Sequence, residues 1–221
     1  MRRIIGLALT LVAATSPLLG QHPAGLREVR GGGGGNAGFT LAIAQPLGEF
    51  RRNGAVAAGL TGYAVLGRSS VGLRIDGAYM VYDSDYRGYG ISTTSSIGSL
   101  AFGPQITLGR GAIRPYGFAT LGGSVFWTSV SDDNYCGCYD SDVFLLNGQF
   151  TTVSQVGTGV LMNVSRRVSL DFGVRDVRHE RVRYVPAGGI TENSDGSFTV
   201  DRVETPVRMR VFQIGVSVGI R

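Results

Sequence analysis

The chain has 221 residues, 35 glycines and a formal net charge of +5, and every basic residue in it is an arginine. These arginines are scattered along an exported chain, which argues against a nucleic-acid-binding surface. After the first twenty residues no apolar run is long enough for a transmembrane helix. The remaining length suits one all-β domain of ordinary size.

Residues 1–20 are predicted to be a secretory signal peptide. Arg2 and Arg3 provide the positive start, an apolar run follows, and Pro17 breaks it. Residues 21–36 include five consecutive glycines and predict a flexible lead-in. This leaves residues 37–221 as the folded domain.

Eight β-strands are predicted in the rest of the chain, at about 37–45, 55–66, 71–82, 95–108, 113–129, 150–164, 168–183 and 211–220. The last strand is the clearest, because Phe212, Ile214, Val216, Val218 and Ile220 share one face of it. Its ten residues are enough for a tilted strand to cross a bilayer core. A strand in lipid cannot leave its backbone unpaired, so we expect a closed barrel.

The connections between these strands alternate between long and tight. Tight turns are predicted at 67–70, 109–112 and 165–167, and a long hairpin at 184–206 turns at about 193–196. Transmembrane barrels have short periplasmic turns and longer extracellular loops. The sequence therefore predicts an all-β, eight-stranded antiparallel up-and-down transmembrane β-barrel with both termini in the periplasm.

Three segments carry a family resemblance: residues 38–50, residues 54–60 and residues 71–82. With them the chain resembles the eight-stranded outer-membrane β-barrel superfamily of OmpA-type and OmpX-type barrels. The resemblance implies a monomer in a Gram-negative-type outer membrane, in contact with its lipid and lipopolysaccharide. It also implies the barrel-assembly machinery as a partner, and no cofactor.

Four charged residues fall on the small, polar faces of two predicted strands: Arg74, Asp76, Asp171 and Arg175. A soluble barrel of the lipocalin kind would turn the apolar faces inward, but these polar faces carry side chains too short for a soluble surface. Eight strands enclose only the space that side chains fill. We therefore expect a charge network that plugs the lumen, with a permeation path as the alternative.

Cys136 and Cys138 lie in a long acidic loop. Export through an oxidising compartment favours a disulfide between them, and Gly137 permits the tight bend. Zinc binding would need more ligands than this loop offers. The nearby aspartates do not follow the EF-hand spacing for calcium, so no metal site is predicted.

His179 raises the question of catalysis. Outer-membrane lipid A deacylases carry a serine two residues after the histidine, where this chain has Arg181, and the related acyltransferases carry their histidine in the first outer loop, which has none here. Glu180 beside His179 does not complete a triad. No catalytic residue is predicted.

Aromatic residues near both ends of the predicted strands are interpreted as interfacial girdles. The outer set is Phe50, Tyr79, Tyr82, Phe126, Trp127 and Phe150, and the inner set is Phe39, Tyr116 and Phe172.

The last outer hairpin is the predicted interaction surface, through Arg178, His179, Arg181 and Arg183. Arginine suits lipopolysaccharide phosphates or an extracellular partner. The expected function is a non-enzymatic outer-membrane barrel with a structural or surface-interaction role. A small passive pore is the first alternative, and a lipid-modifying enzyme the second.

Overall fold

The computed structural model describes residues 35–53, 55–67, 70–87, 91–109, 111–132, 143–186, 189–193 and 198–220. The elements are β1 Asn36–Leu47, α1 Phe50–Asn53, β2 Ala57–Leu66, β3 Val71–Arg87, β4 Ile91–Thr107, β5 Ile113–Asp132, β6 Val143–Asn163, β7 Val168–Tyr184, β8 Ile190–Glu192, β9 Phe198–Val200 and β10 Val203–Gly219. Among the described residues, no helix is both long enough and apolar enough to cross a membrane.

Strands β1 to β7 and β10 form one closed antiparallel barrel, in the order β1-β10-β7-β6-β5-β4-β3-β2. The first and last strands close it, from Asn36 opposite Gly219 to Leu47 opposite Arg208. Strands β8 and β9 form a separate two-stranded sheet. This architecture confirms the predicted eight-stranded antiparallel barrel.

The closing strand β10 shows how alternation sorts residues between the two sides of the wall. Phe212 and Ile214 are about half exposed on the outside, whereas Val211 and Ser217 are buried on the inside. The same alternation runs along β1, where Leu41 is exposed and Thr40 is buried. Two-residue periodicity is therefore a direct guide to inside and outside.

Large apolar side chains cover the outer wall, and we call this surface the apolar belt. Its members are Phe39, Leu41, Ile43, Leu60, Leu73, Ile75, Leu100, Phe102, Ile106, Leu121, Val125, Val156, Met162, Leu170, Phe172, Phe212, Ile214, Val216 and Val218, all 38% exposed or more. A soluble barrel would bury such a surface. The lipocalin-like alternative is therefore wrong, because the apolar faces point outward.

The two ends of the barrel differ in their connections. Tight connections join β2 to β3, β4 to β5 and β6 to β7, at the end where β1 begins and β10 finishes, which we call the turn end. Gly109 has a φ of 77° in one of them, a conformation that favours glycine. The opposite, loop end carries α1 and the longer connections that follow β1, β5 and β7. Only three residues separate β3 from β4 there, because both strands extend into the predicted long loop.

The strands near the loop end are longer than predicted. Pairing between β3 and β4 continues from Asp83 opposite Ser95 to Arg87 opposite Ile91, beyond an irregularity after Val81. Strand β10 begins at Val203, eight residues before the predicted start. The serines, threonines and aspartates in these extensions resemble loop composition, yet the strands stay paired where the wall extends past the apolar belt.

Pro104 lies inside β4 without breaking the barrel. The β4–β5 pairing passes from Phe102 opposite Leu121 directly to Gln105 opposite Phe118, skipping Gly103 and Pro104. Proline has no backbone N–H to donate to a neighbouring strand. The ladder therefore opens locally around a residue that has no N–H to contribute to it.

Candidate functional site: the lumen and the outer arginines

The lumen is crossed by a buried ionic network built on β3. Arg74 Nε donates to Asp76 Oδ2 at 2.6 Å and Arg74 Nη2 to Asp76 Oδ1 at 2.9 Å, while its Nη1 donates to Gln105 Oε1 at 2.8 Å. Both charged side chains are essentially inaccessible to solvent. Two-point contacts of this kind fix the orientation of both partners.

Two aromatic rings contact the same guanidinium. The Cζ atom of Arg74 lies 3.9 Å from the ring centroid of Tyr63 and 4.1 Å from that of Phe118. A desolvated cation–π contact of this type stabilises by about 2 kcal/mol. Arg74 is therefore held by hydrogen bonds to Asp76 and Gln105 and by ring contacts with Tyr63 and Phe118.

The second arginine shares the same carboxylate. Arg175 Nη1 donates to Asp76 Oδ1 at 3.3 Å and to Gln155 Oε1 at 2.9 Å. The remaining Arg175 nitrogens, Nε and Nη2, are buried and have no hydrogen-bond partner among the described residues. Asp76 therefore carries most of the charge compensation for two buried cations.

Asp171 lies in the lumen but pairs differently from the expected ion pair. Its two oxygens accept hydrogen bonds from the hydroxyl groups of Tyr63 and Tyr116, each at 2.7 Å. Tyr63 therefore links Asp171 to Arg74 through its hydroxyl and its ring face. We call Arg74, Asp76, Asp171 and Arg175 with their glutamine partners the ionic layer.

Two inward-facing glycines on β6 provide the space for these rings. A Cβ atom on Gly157 would lie 2.6 Å from Phe118 Cζ, and one on Gly159 would lie 2.5 Å from Tyr116 Cζ. Any larger residue would therefore displace rings that contact Arg74 and Asp171. This close approach explains part of the glycine enrichment along the inner wall.

The loop-end half of the lumen is filled by rings instead of charges. We call this set the aromatic layer: Phe50, Tyr82, Phe126, His179 and Tyr184, all at most 4% exposed. Phe50 comes from α1 and meets Tyr184 edge-on at a centroid distance of 5.3 Å. Phe126 meets the His179 ring edge-on at 5.0 Å. The first outer loop thus contributes a plug to the mouth of the barrel.

The predicted aromatic girdles are therefore wrong for part of their members. Phe50, Tyr82, Phe126 and Tyr116 are buried inside the barrel and do not face lipid. Phe39, Tyr79, Phe150 and Phe172 do lie exposed on the outer wall, and Trp127 packs on Tyr79. The alternation of side chains along β3 could have shown this for Tyr82, because it places Tyr82 on the same face as Arg74.

A small cavity of about 10 Å³ separates the two layers. It lies between Arg175 and Gln155 on one side and Met80, His179 and Met209 on the other. This volume corresponds to about one water molecule. In the described part of the chain, the ionic layer and the aromatic layer occupy the lumen on the two sides of this cavity.

His179 belongs to the lumen and not to the predicted interaction surface. Its side chain is 4% exposed, and neither ring nitrogen has a hydrogen-bond partner in the described part of the chain. On β7 it lies seven residues beyond Phe172, the last member of the apolar belt on that strand. Burial lowers the pKa of His179 to about 4, so the ring is neutral near pH 7. The sequence prediction for this residue is corrected: it packs inward on Phe126.

The other three residues of that prediction, Arg178, Arg181 and Arg183, are exposed on β7. Arg183 pairs with Glu204 of β10 at 3.3 Å, and lower on the same wall Arg210 pairs with Asp176 at 2.9 Å. Arg208 is exposed between these pairs. Together Arg178, Arg181, Arg183, Arg208 and Arg210 form a surface that we call the arginine wall.

Cys136 and Cys138 lie outside the described residues, so their disulfide stays a prediction. Within the described ranges, no group of three or more His, Cys, Asp or Glu side chains is placed to hold a metal ion.

Comparison with known proteins identifies the fold. The crystal structure of Neisserial surface protein A is similar at 19% sequence identity and a TM-score of 0.52, covering 84% of this chain and 97% of that one. A major outer membrane protein from Thermus thermophilus matches at 10% identity, TM-score 0.49 and coverages of 83% and 99%. Ail of Yersinia pestis matches at 11% identity, TM-score 0.46 and coverages of 85% and 97%.

No protein-family model matches the sequence, and no curated protein matches it significantly. The likeness to Neisserial surface protein A spans nearly all of that chain, and at this identity it bears on the fold. The closed sheet order and the outward apolar faces agree with it. The chain therefore has the fold of the eight-stranded outer-membrane β-barrels, the OmpA-type and OmpX-type architecture.

Proposed function

We propose that this protein is a non-enzymatic outer-membrane β-barrel whose lumen is closed and whose loop end serves surface interactions. The observation that carries the proposal is the combination of an outward apolar belt with a filled lumen. The belt suits lipid, since each strand presents one apolar face and pairs its backbone on both sides. The signal peptide and assembly by the barrel-assembly machinery belong to this proposal.

The filled lumen favours a structural or interaction role over a passive pore. Asp76 bridges two arginines, and an ion passing through would have to separate buried charges that compensate each other. Phe50 and Tyr184 close the space above them. A permeating ion would therefore have to break two independent barriers.

Catalysis has little support from the geometry. His179 is the only histidine in the described residues, and its ring contacts Phe126 while its two nitrogens lack partners there. A general base needs an orienting acceptor and a nucleophile within hydrogen-bond reach. Lipid A modification, measured by mass spectrometry of extracted lipid, is expected to be absent.

Planar-bilayer recording of the purified chain tests the closed-lumen proposal. We expect no stable single-channel currents from the wild type. Stable currents that change in an Arg74→Ala variant would place Arg74 in a conducting path and favour the pore. A chain recovered only from the soluble periplasm would contradict the membrane location itself.

A further inference from the structure

Two arginines are neighbours on adjacent strands of the outer wall, and they lack the ion pairs that nearby arginines make. Arg178 on β7 is directly opposite Arg208 on β10, and both side chains are exposed. Among the described residues neither one has a carboxylate within ion-pair distance. Like charges directly opposite in an antiparallel pair destabilise the sheet.

The charges around this pair are already compensated. Towards the turn end, Arg210 donates to Asp176 at 2.9 Å. Towards the loop end, Arg183 reaches Glu204 at 3.3 Å. The exposed Glu180 and Arg181 on β7 balance each other in charge. Arg178 and Arg208 therefore leave two uncompensated positive charges between neutral pairs, which is a site for an anion.

The position of the two arginines relative to the apolar belt indicates which anion they can contact. On β10 the apolar belt begins at Phe212, four residues from Arg208, which is roughly 13 Å along a strand at about 3.3 Å per residue. Barrel strands tilt by about 40°, so the rise above the belt is roughly 10 Å. Beyond the hydrocarbon core lies the headgroup layer, within reach of an arginine side chain at this level.

We propose that Arg178 and Arg208 together bind a phosphate group of an outer-leaflet lipid. One phosphate accepts hydrogen bonds from both guanidinium groups, whose planar donor sets suit phosphate oxygens. The bound anion would offset the repulsion between the two cations. This inference rests on the proposed membrane location and names the partner of the arginine wall.

The test uses the full chain refolded into phosphatidylcholine nanodiscs with a fraction of phosphatidic acid, which carries a phosphate monoester. The relative association of spin-labelled phosphatidic acid and phosphatidylcholine gives the preference for phosphate. We expect the wild type to prefer phosphatidic acid. Arg178→Gln and Arg208→Gln should each lower the preference about fivefold, since an arginine near an anionic surface contributes about 1 kcal/mol.

Arg183→Gln is the matched control, because it removes the same charge from the same wall but from a residue that pairs with Glu204. It should change the preference less than twofold. A double Arg178→Gln/Arg208→Gln variant that keeps the wild-type preference would overturn the proposal. So would a control that loses as much as the two test variants.

Two further outcomes separate the proposals. A wild type that inserts as a heat-modifiable barrel but shows no preference between the lipids refutes the phosphate site alone. A wild type that fails to insert refutes the membrane function. Inorganic phosphate, compared with chloride at equal ionic strength, should not remove the preference. If it does, the pair binds free phosphate and the lipid assignment is wrong.

Discussion

The two halves of the lumen are closed by different kinds of interaction. The ionic layer near the middle of the barrel depends on directed hydrogen bonds, with Asp76 shared between Arg74 and Arg175. The aromatic layer at the loop end depends on ring packing, centred on Phe50 and Tyr184. A directional network fails when one partner is lost, whereas a packed layer can partly collapse around a missing group.

Removing the carboxylate that the two arginines share should cause the largest loss of stability. Asp76→Ala leaves Arg74 and Arg175 buried without a counter-charge, and we expect a loss of about 3–5 kcal/mol in the free energy of unfolding. Urea unfolding in phosphatidylcholine vesicles measures it. Asp176→Ala is the control, since its partner Arg210 is 47% exposed and solvent screens the pair, so the loss should be much smaller. Equal losses in the two variants would refute the distinction.

The aromatic layer should respond less to truncation. Phe50→Ala removes a fully buried ring, and we expect a loss of about 3 kcal/mol, at the low end for such changes because the short α1 segment can settle inward. Phe150→Ala removes a ring from the outer wall, where it is 72% exposed, and leaves the lumen intact, so it is the comparison variant and should lose less.

The same Phe50→Ala variant tests whether the two layers close the lumen independently. We expect it to remain silent in planar-bilayer recordings, because the ionic layer is left intact. Currents in this variant but not in the wild type would mean that the aromatic layer alone holds the lumen closed.

Acid should weaken the aromatic layer through His179. The pKa of His179 is about 4 in the folded barrel and about 6.5 when unfolded, so below pH 6.5 the unfolded chain gains a proton that the folded one does not. Stability is therefore full above pH 6.5 and falls as the pH drops towards 4. Between pH 7.5 and pH 5 we expect a loss of about 2 kcal/mol.

His179→Phe is the control for that titration. It keeps a ring against Phe126 and removes the titrating group, so the pH dependence of its unfolding free energy should be smaller by the same amount. An unchanged dependence in His179→Phe would show that another group titrates in this range.

The sequence predicted one layer far better than the other. Charged residues on a face of small side chains have few places to go in a narrow barrel, so Arg74, Asp76 and Arg175 could be placed in the lumen in advance. Asp171 accepts hydrogen bonds from two tyrosine hydroxyls and, within the described residues, does not pair with an arginine. This partnership depends on the positions of the tyrosine rings, which the alternation of residues along a strand does not specify.

The aromatic layer was missed because a ring in the lumen and a ring in a girdle look alike in sequence. Strand parity does separate them for Tyr82 and His179, which share a face with Arg74 and Arg175 respectively. Phe50 has no such signal, because it follows β1 in a connection where alternation has ended. Register irregularities, as after Val81 and Thr128, further disturb parity near the loop end.

The seam between β1 and β10 has a consequence for how the barrel is made. Asn36 and Ser217, whose side chains are hydrogen-bonded at 3.0 Å, are 181 positions apart in the chain. No partly built sheet can form this contact, because it joins the first and last strands of the barrel. Structures dominated by such distant pairings fold slowly and expose unpaired edges on the way. Strand β1 therefore keeps a free edge until β10 pairs with it, and aggregation competes with closure of the barrel during that interval.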